Sequence, residues 1–151
     1  MKIFELSDRT DKLENAIEFF WKCWGNESNL NFYDDCIRNS LKKENTIPKF
    51  YIGIEYDEIV GSYAILTNDL ISRQDLLPWF ACLFVAESYR KKGYAEMLLK
   101  HGINEAKLKG FENLYLSTDL VNFYEKKCWT EFGKGYGFSG GEIKIYKNLT
   151  I

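Results

Sequence analysis

The sequence predicts an α/β domain in which helices flank a central mixed sheet. Strand-like and helix-like patterns follow one another in the order strand, two helices, three strands, helix, strand, helix and two strands. The strand–helix–strand segment near the centre is typical of a crossover between parallel neighbours, which makes the sheet mixed. The chain of 151 residues fits a single domain over residues 1–151, because no linker, repeat or low-complexity segment divides it.

Each element is predicted from the period of its apolar residues. Alternation predicts a half-buried strand, and a spacing of three to four predicts an amphipathic helix. Trp79–Val85, with the sequence WFACLFV, is apolar throughout, which is typical of a central strand covered on both faces. The predicted strands are Lys2–Leu6, Phe50–Glu55, Ile59–Thr67, Trp79–Val85, Asn113–Ser117, Thr130–Gly135 and Glu142–Lys147. The predicted helices are Asp11–Trp24, a segment from Phe32 to about Lys43, Gly93–Lys109 and a short segment Leu120–Lys127.

The composition argues against several classes of partner. Its 20 basic and 22 acidic residues give a net charge of −2, so we expect neither nucleic acid nor an anionic membrane as a partner. The four cysteines have no C-x-x-C spacing and the chain has one histidine, so we expect no metal site. There is no apolar signal segment and no run long enough to span a bilayer, which predicts a cytoplasmic protein with free thiols.

A basic run with a glycine follows the apolar strand and opens the central helix. This run is Arg90–Ala95, with the sequence RKKGYA. Backbone N–H groups at a helix N-terminus are unpaired and carry partial positive charge, so they bind phosphates readily. Gly93 lets the backbone come close to such an anion. A solvated basic turn would have the same sequence, but the position between a buried strand and an amphipathic helix favours a ligand site.

Two motifs together resemble the GCN5-related N-acetyltransferase (GNAT) family. Leu83–Val85 followed by Arg90–Ala95 matches that family's strand and its [QR]-x-x-G-x-[GA] loop, and Phe123–Trp129 is similar to its F-Y-x-x-x-G-[FW] block. The resemblance covers residues 50 to 148, with one helix and one strand between the motifs. It implies a GNAT-like acyl-CoA N-acyltransferase fold. It also implies direct transfer of an acetyl group from acetyl-CoA, as co-substrate, to a primary amine.

The resemblance implies roles for individual residues. Tyr124 would stand near the thioester sulfur, where its hydroxyl can protonate the departing thiolate, although a core aromatic beside Phe123 is the alternative. Strand backbone would pair with the pantetheine arm, and the N–H groups of the loop would hold the pyrophosphate. Ser117 stands nearest to the position of an asparagine that binds the pantetheine in many members. The expected cofactor-binding residues are Leu83, Phe84, Val85, Arg90, Lys91, Lys92, Gly93, Tyr94, Ala95, Glu96 and Ser117.

The sequence departs from the family pattern at the general base. Many members carry a glutamate in the central strand, whereas Trp79–Cys82 contains no carboxylate. The remaining candidates are Glu55, Asp69, Asp75 and Asp119. The missing strand carboxylate supports a second interpretation, a non-catalytic acyl-CoA-binding module of the same fold. Cys128 also replaces the usual glycine, so either the turn differs or a strained positive φ is tolerated, and we expect a buried, unreactive thiol there.

The acceptor is expected to be a small-molecule or peptide amine whose identity stays open. The family usually builds its acceptor pocket on the first two helices, where this chain has four aromatic residues that also suit a core. They are Trp21, Trp24, Phe32 and Tyr33. The stretch Gly133–Gly141 is expected to form a hairpin near the same cleft. His101 has no evident partner and is expected at the surface. A monomer and a homodimer are both compatible with the sequence.

Overall fold

Seven strands form one mixed sheet in the computed structural model, which describes residues 1–151. The strands are β1 (Lys2–Glu5), β2 (Lys49–Glu55), β3 (Glu58–Leu66), β4 (Trp79–Val85), β5 (Asn113–Thr118), β6 (Thr130–Tyr136) and β7 (Glu142–Leu149). The helices are α1 (Leu13–Trp24), α2 (Leu30–Asn39) and α3 (Tyr94–Leu108). Across the sheet the order is β1-β2-β3-β4-β5-β7-β6. Only β4 and β5 are parallel neighbours, so the predicted mixed sheet flanked by helices is confirmed.

Helices cover both faces of the sheet. Phe50 and Ile52 of β2 belong to the apolar cluster beneath α1 and α2, whereas Tyr51, between them, belongs to the cluster beneath α3. This alternation follows from the pleat, which turns successive side chains to opposite faces. The uninterrupted apolar run of β2 therefore reflects two covered faces. None of the helices has both the length and the hydrophobicity needed to cross a membrane.

The strands β4 and β5 separate almost as soon as they meet. Trp79 and Tyr115 form the one registered pair between them, and the Tyr115 N–H donates to the carbonyl of Pro78 at 3.0 Å. By contrast, β5 pairs with β7 along its whole length, from Asn113 to Thr118. From Phe80 to Val85, β4 therefore has a partner strand on its β3 side alone. A cleft opens between β4 and β5.

A bulge in β4 lies where this cleft opens. Cys82 and Leu83 stand opposite the single residue Tyr63 of β3. Cys82 has a φ of 56°, in the left-handed region that a residue with a Cβ rarely adopts. The Ser62 hydroxyl donates to the Cys82 carbonyl at 3.1 Å and holds the distorted backbone. Because a bulge bends its strand and redirects its side chains, β4 changes direction at the cleft.

The structure corrects one predicted element, the short helix Leu120–Lys127. Only Glu125–Lys127 is helical, as a single 3-10 turn. Asn122 has a φ of 61°, which an α-helix cannot contain. The Thr118 hydroxyl accepts the N–H of the residue two positions later at 3.0 Å, and bonds of this kind compete with helix formation. The other predicted strands and helices are present, although α2 ends earlier than predicted.

Gly102 lets α3 pack closely on the sheet, and this contact can be tested. A Cβ added at Gly102 would lie 2.4 Å from Cε2 of Phe80. We expect Gly102→Ala to lower the free energy of unfolding by ~1–2 kcal/mol, because overpacking costs ~1–3 kcal/mol and alanine returns up to ~1 kcal/mol of helix propensity. Urea titration measures the change. Gly133→Ala is the control, since no atom lies within 4 Å of a Cβ there. Equal losses in both variants would contradict the packing argument.

Candidate functional site

Two cavities occupy the cleft and meet at a tyrosine. The strand cavity, between β4 and β5, has a volume of about 530 Å³ and reaches Trp24 and Tyr33 on the first two helices. The helix cavity, of about 420 Å³, lies between the end of β4, the N-terminus of α3 and the segment after β5. Leu83, Leu120 and Tyr124 line both cavities. The two spaces therefore adjoin beside the Tyr124 ring.

The helix cavity ends at the uncapped N-terminus of α3. Gly93 is the N-cap residue, with a φ of 77°, and no side chain caps the helix. The Met97 N–H is the first to donate within the helix, to the Gly93 carbonyl at 3.1 Å, so the N–H groups of Tyr94–Glu96 have no helical acceptor. A Cβ at Gly93 would meet no atom within 4 Å, so this glycine faces open space. The backbone here is arranged as an anion site.

Basic side chains surround this N-terminus in different ways. Lys91 lines the helix cavity. Arg90 folds back on β4, where its Nε donates to the Val85 carbonyl at 3.0 Å and its guanidinium lies over the Phe84 ring. Lys92 is not part of the cavity lining, and its Nζ lies over the ring of Tyr89. Arg90, Lys91 and Lys127 therefore bring positive charge to the cavity lining, and Lys127 is paired with Glu96.

Glu96 is the carboxylate that lines the helix cavity, and two lysines balance it. Its oxygens lie 2.8 Å from Lys100 Nζ and 3.0 Å from Lys127 Nζ. Hydrogen bonds to Lys100 and then to Lys127 lower the pKa of Glu96 to about 2. The Lys127 pair also joins the segment after β5 to α3. The paired carboxylate thus leaves the positive end of the helix available to an anion.

Aromatic contacts hold Tyr124 at the junction of the cavities. Its ring packs against Trp129 and Tyr146, and 8% of the residue is exposed. The N–H groups of Lys127 and Trp129 donate to its carbonyl at 2.9 and 3.2 Å. Burial, and then the charge of Asp69, raises the pKa of the Tyr124 phenol to about 12. The hydroxyl therefore keeps its proton at neutral pH and can donate it.

One of the four candidate carboxylates lies partly buried in the strand cavity. Asp69, in the loop between β3 and β4, lines this cavity and accepts a hydrogen bond from Ser117 Oγ at 3.2 Å. Burial raises the pKa of Asp69 to about 6, against the opposing effect of the Ser117 bond. Asp119 lines the same cavity but is exposed. Glu55 and Asp75 make their hydrogen bonds elsewhere and line neither cavity.

Most of the predicted cofactor-binding residues come together around the helix cavity. All of them line it except Lys92 and Ser117. Ser117 lies instead in the strand cavity, where its hydroxyl is bonded to Asp69. Of the four aromatic residues on the first two helices, only Trp24 and Tyr33 line the strand cavity. The sequence offered no signal to separate these two from the others, because all four have helical spacing.

Two expectations for single residues are wrong. His101 is not a surface residue without a partner, because its Nδ1 lies 2.7 Å from the hydroxyl of the fully buried Tyr63. Cys128 is not buried but exposed. It has a φ of 63°, so the left-handed turn is kept and the strain of a Cβ there is tolerated.

Comparisons with known proteins agree with this geometry. The profile of the Acetyltransferase (GNAT) family matches residues 13–133. No curated protein sequence gives a significant match. Among solved structures, an aminoglycoside 6'-N-acetyltransferase complexed with coenzyme A has 18% identity and a TM-score of 0.71, over 100% of this chain and 98% of that chain. The aminoglycoside 6'-N-acetyltransferase from Enterococcus faecium has 16% identity and a TM-score of 0.73, over 100% and 98% of the two chains.

A further similar structure is an N-acetyltransferase from Staphylococcus aureus Mu50. It has 16% identity and a TM-score of 0.71, over 100% of both chains. At this level of identity the structural similarities show the fold. The profile match extends over most of the sequence, including both motifs around the helix cavity as far as β6. The chain therefore belongs to the GNAT family of acetyltransferases.

Proposed function

We propose that this protein transfers an acetyl group from acetyl-CoA to a primary amine, by direct attack of the amine on the thioester. The observation that carries the proposal is the junction of two cavities at Tyr124. One cavity ends at a helix N-terminus that suits phosphate, and the other contains a partly buried carboxylate that suits an amine. Acetyl-CoA in the first cavity would place its thioester at the junction. The acceptor amine would reach that thioester from the second cavity. No covalent enzyme intermediate is needed.

The helix cavity suits the pantetheine arm and pyrophosphate of acetyl-CoA. Leu83–Val85 border it with strand backbone that β5 leaves unpaired, and an extended ligand can pair with such backbone. The N–H groups of Lys91–Glu96 would hold the pyrophosphate, with Lys91 and Arg90 supplying positive charge. Lys92 would act from outside the cavity lining.

Tyr124 would supply the proton that the departing thiolate needs. The C–N bond forms when the amine attacks the carbonyl carbon, and the C–S bond then breaks with its electron pair on sulfur. A thiol pKa of about 8.5 makes the thiolate a tolerable leaving group, and a proton donor lowers the barrier further. A phenol whose pKa is about 12 is in the required protonated state at neutral pH.

The second interpretation, a non-catalytic acyl-CoA-binding module, rests on the absence of a carboxylate from β4. The loop before β4 brings Asp69 into the strand cavity, where it can serve the same purpose. The geometry therefore favours the enzyme.

Replacement of Tyr124 tests its proposed function as an acid. We expect Tyr124→Phe to lower kcat by roughly 100-fold, because the ring still packs but the proton is lost. The Kd for acetyl-CoA should change by less than about threefold. Release of the coenzyme A thiol with a panel of primary amines gives kcat, and calorimetry gives Kd. Tyr51→Phe is the control, since its hydroxyl bonds to Glu105 outside both cavities. An unchanged kcat in Tyr124→Phe would contradict the assignment.

Two glycines at opposite ends of α3 test the pyrophosphate site. Gly93 and Gly110 have φ of 77° and 85°, and a Cβ at either would meet no atom within 4 Å. An alanine at either position should therefore raise the conformational energy of the folded protein by a similar ~1–2 kcal/mol. We expect both variants to lose comparable stability, whereas only Gly93→Ala weakens acetyl-CoA binding, by about tenfold or more, because its methyl group occupies the approach of the anion. Calorimetry and thermal melts measure the two effects. Equal affinities in both variants would refute the pyrophosphate site.

A further inference from the structure

The strand cavity has an acidic lining without a basic residue. Its charged residues are Asp69 and Asp119, and no lysine, arginine or histidine lines it. The rings of Trp24 and Tyr33 form part of its wall. A carboxylate that is partly removed from water is stabilised by a cation, and aromatic faces also attract cations. The cavity is therefore suited to a positively charged group that the protein itself does not supply.

Besides the exposed Asp119, the groups that interact with Asp69 from the neighbouring elements are neutral. They are Ser117 of β5, Cys82 of β4, Tyr33 of α2 and Tyr124. Burial is the main cause that raises the pKa of both Cys82 and Tyr33, and the charge of Asp69 adds to it, so neither is ionised at neutral pH. The Ser117 hydroxyl donates the hydrogen bond that Asp69 receives. The carboxylate thus retains acceptor capacity for a ligand.

The loop that carries Asp69 is tied to the hairpin between β6 and β7. The Ser72 N–H donates to the Tyr136 carbonyl at 2.8 Å, and the Ser72 hydroxyl accepts the Tyr136 N–H at 2.9 Å. Within the loop, Asn68 Oδ1 accepts the N–H of the buried Ile71 at 3.0 Å. These bonds lie on both sides of Asp69 along the chain, so the carboxylate is held at the cavity wall.

We propose that Asp69 binds the ammonium group of the acceptor and removes its protons, and that the acceptor is a primary amine with no carboxylate beside the amine. This inference rests on the proposed acetyl transfer. A carboxylate on the acceptor would enter a cavity that holds Asp69 and Asp119 and no basic partner. Like charges brought together in this way disfavour binding. An apolar, aromatic or additionally cationic body would instead suit the walls.

The proton balance follows from these positions. The ammonium gives one proton to Asp69, which passes it to solvent, and the neutral amine attacks the thioester carbonyl carbon. The nitrogen of the tetrahedral adduct is now positive and acidic, and it gives a second proton to Asp69, which also passes this proton to solvent. The C–S bond breaks as Tyr124 protonates the sulfur, and Tyr124 then regains a proton from solvent. The products are the amide, the coenzyme A thiol and one net proton.

The test compares the wild type with Asp69→Asn, whose amide keeps an oxygen for the Ser117 hydroxyl but accepts no proton. The probes are tyramine, tryptamine and 1,4-diaminobutane, with acetyl-CoA at saturation. We expect Asp69→Asn to lower kcat/KM by roughly 100-fold or more. In the wild type we expect kcat/KM to rise with pH with an apparent pKa of about 6, as Asp69 ionises. The variant should lack this rise. Asp75→Asn is the control, because Asp75 is an exposed carboxylate of the same loop that pairs with Arg73.

The acceptor class is tested with the matching amino acids, which are tyrosine, tryptophan and ornithine. Each amine should exceed its amino acid in kcat/KM by about tenfold or more. If Asp69→Asn keeps full activity and the same rise of kcat/KM with pH, Asp69 is not the base. A preference for the amino acids, or no turnover of any amine by protein that binds acetyl-CoA, overturns the acceptor class. Failure of the wild type to bind acetyl-CoA would refute the proposed function itself. This outcome differs from a failure of the acceptor class, in which the protein still binds acetyl-CoA.

Asp69 should affect stability in the sense opposite to its effect on activity. Its pKa of about 6 lies above the ordinary 3.8, so the folded protein binds this proton more tightly than the unfolded chain does. Stability is therefore lost as Asp69 ionises with rising pH, and asparagine removes that loss. We expect the Tm of Asp69→Asn to exceed that of the wild type at about pH 7 and the difference to close toward about pH 4. A lower Tm of the variant at both pH values would show a merely structural function.

Discussion

The separation of β4 from β5 after one parallel pair is the constraint on which the site depends. Neighbouring strands ordinarily lie ~4.8 Å apart, which leaves no room for a ligand between them. Here the Trp79–Tyr115 pair joins the strands at one end, β5 completes its hydrogen bonds with β7, and the bulge at Cys82 bends β4. The gap leaves a free backbone edge that borders the helix cavity. The same gap forms the floor of the strand cavity. Both halves of the proposed reaction therefore use one interruption of the sheet.

Backbone strain is concentrated around this interruption. Apart from the turn between β2 and β3, every non-glycine residue with a positive φ lies in a segment that borders the two cavities or leads into them. These residues are Leu70, Cys82, Lys91, Asn122 and Cys128. Such conformations cost ~1–3 kcal/mol each and persist where surrounding contacts enforce them. The contacts here include the Ser62 bond to Cys82 and the tie between Ser72 and the β6–β7 hairpin.

The sequence predicts those parts of the site that depend on patterns of neighbouring residues along the chain. Trp79–Val85 is identified by its unbroken apolar run, and the helix boundary at Gly93 by the basic residues and the glycine before an amphipathic pattern. Asp69 and Asp75 could not be told apart, because both lie in one polar loop. Their difference lies in tertiary contacts, because Asp69 meets Ser117 of β5 in the strand cavity whereas Asp75 is exposed and pairs with Arg73. Local patterns contain no information about a contact with a strand that lies about fifty residues away.

Asp69 and Tyr124, the proposed base and acid, lie in one environment that shifts the pKa of both groups. Burial raises the pKa of both groups, to about 6 for Asp69 and to about 12 for Tyr124, and the charge of Asp69 adds to the second shift. The ordinary pKa values of a carboxyl and a phenol are so far apart that the same direction of shift leaves them on opposite sides of neutrality. Asp69 is then ionised and Tyr124 is protonated at the same pH, as proton removal and proton donation require. Burial in a single cleft thus shifts both groups in the directions that the proposed acid and base functions require.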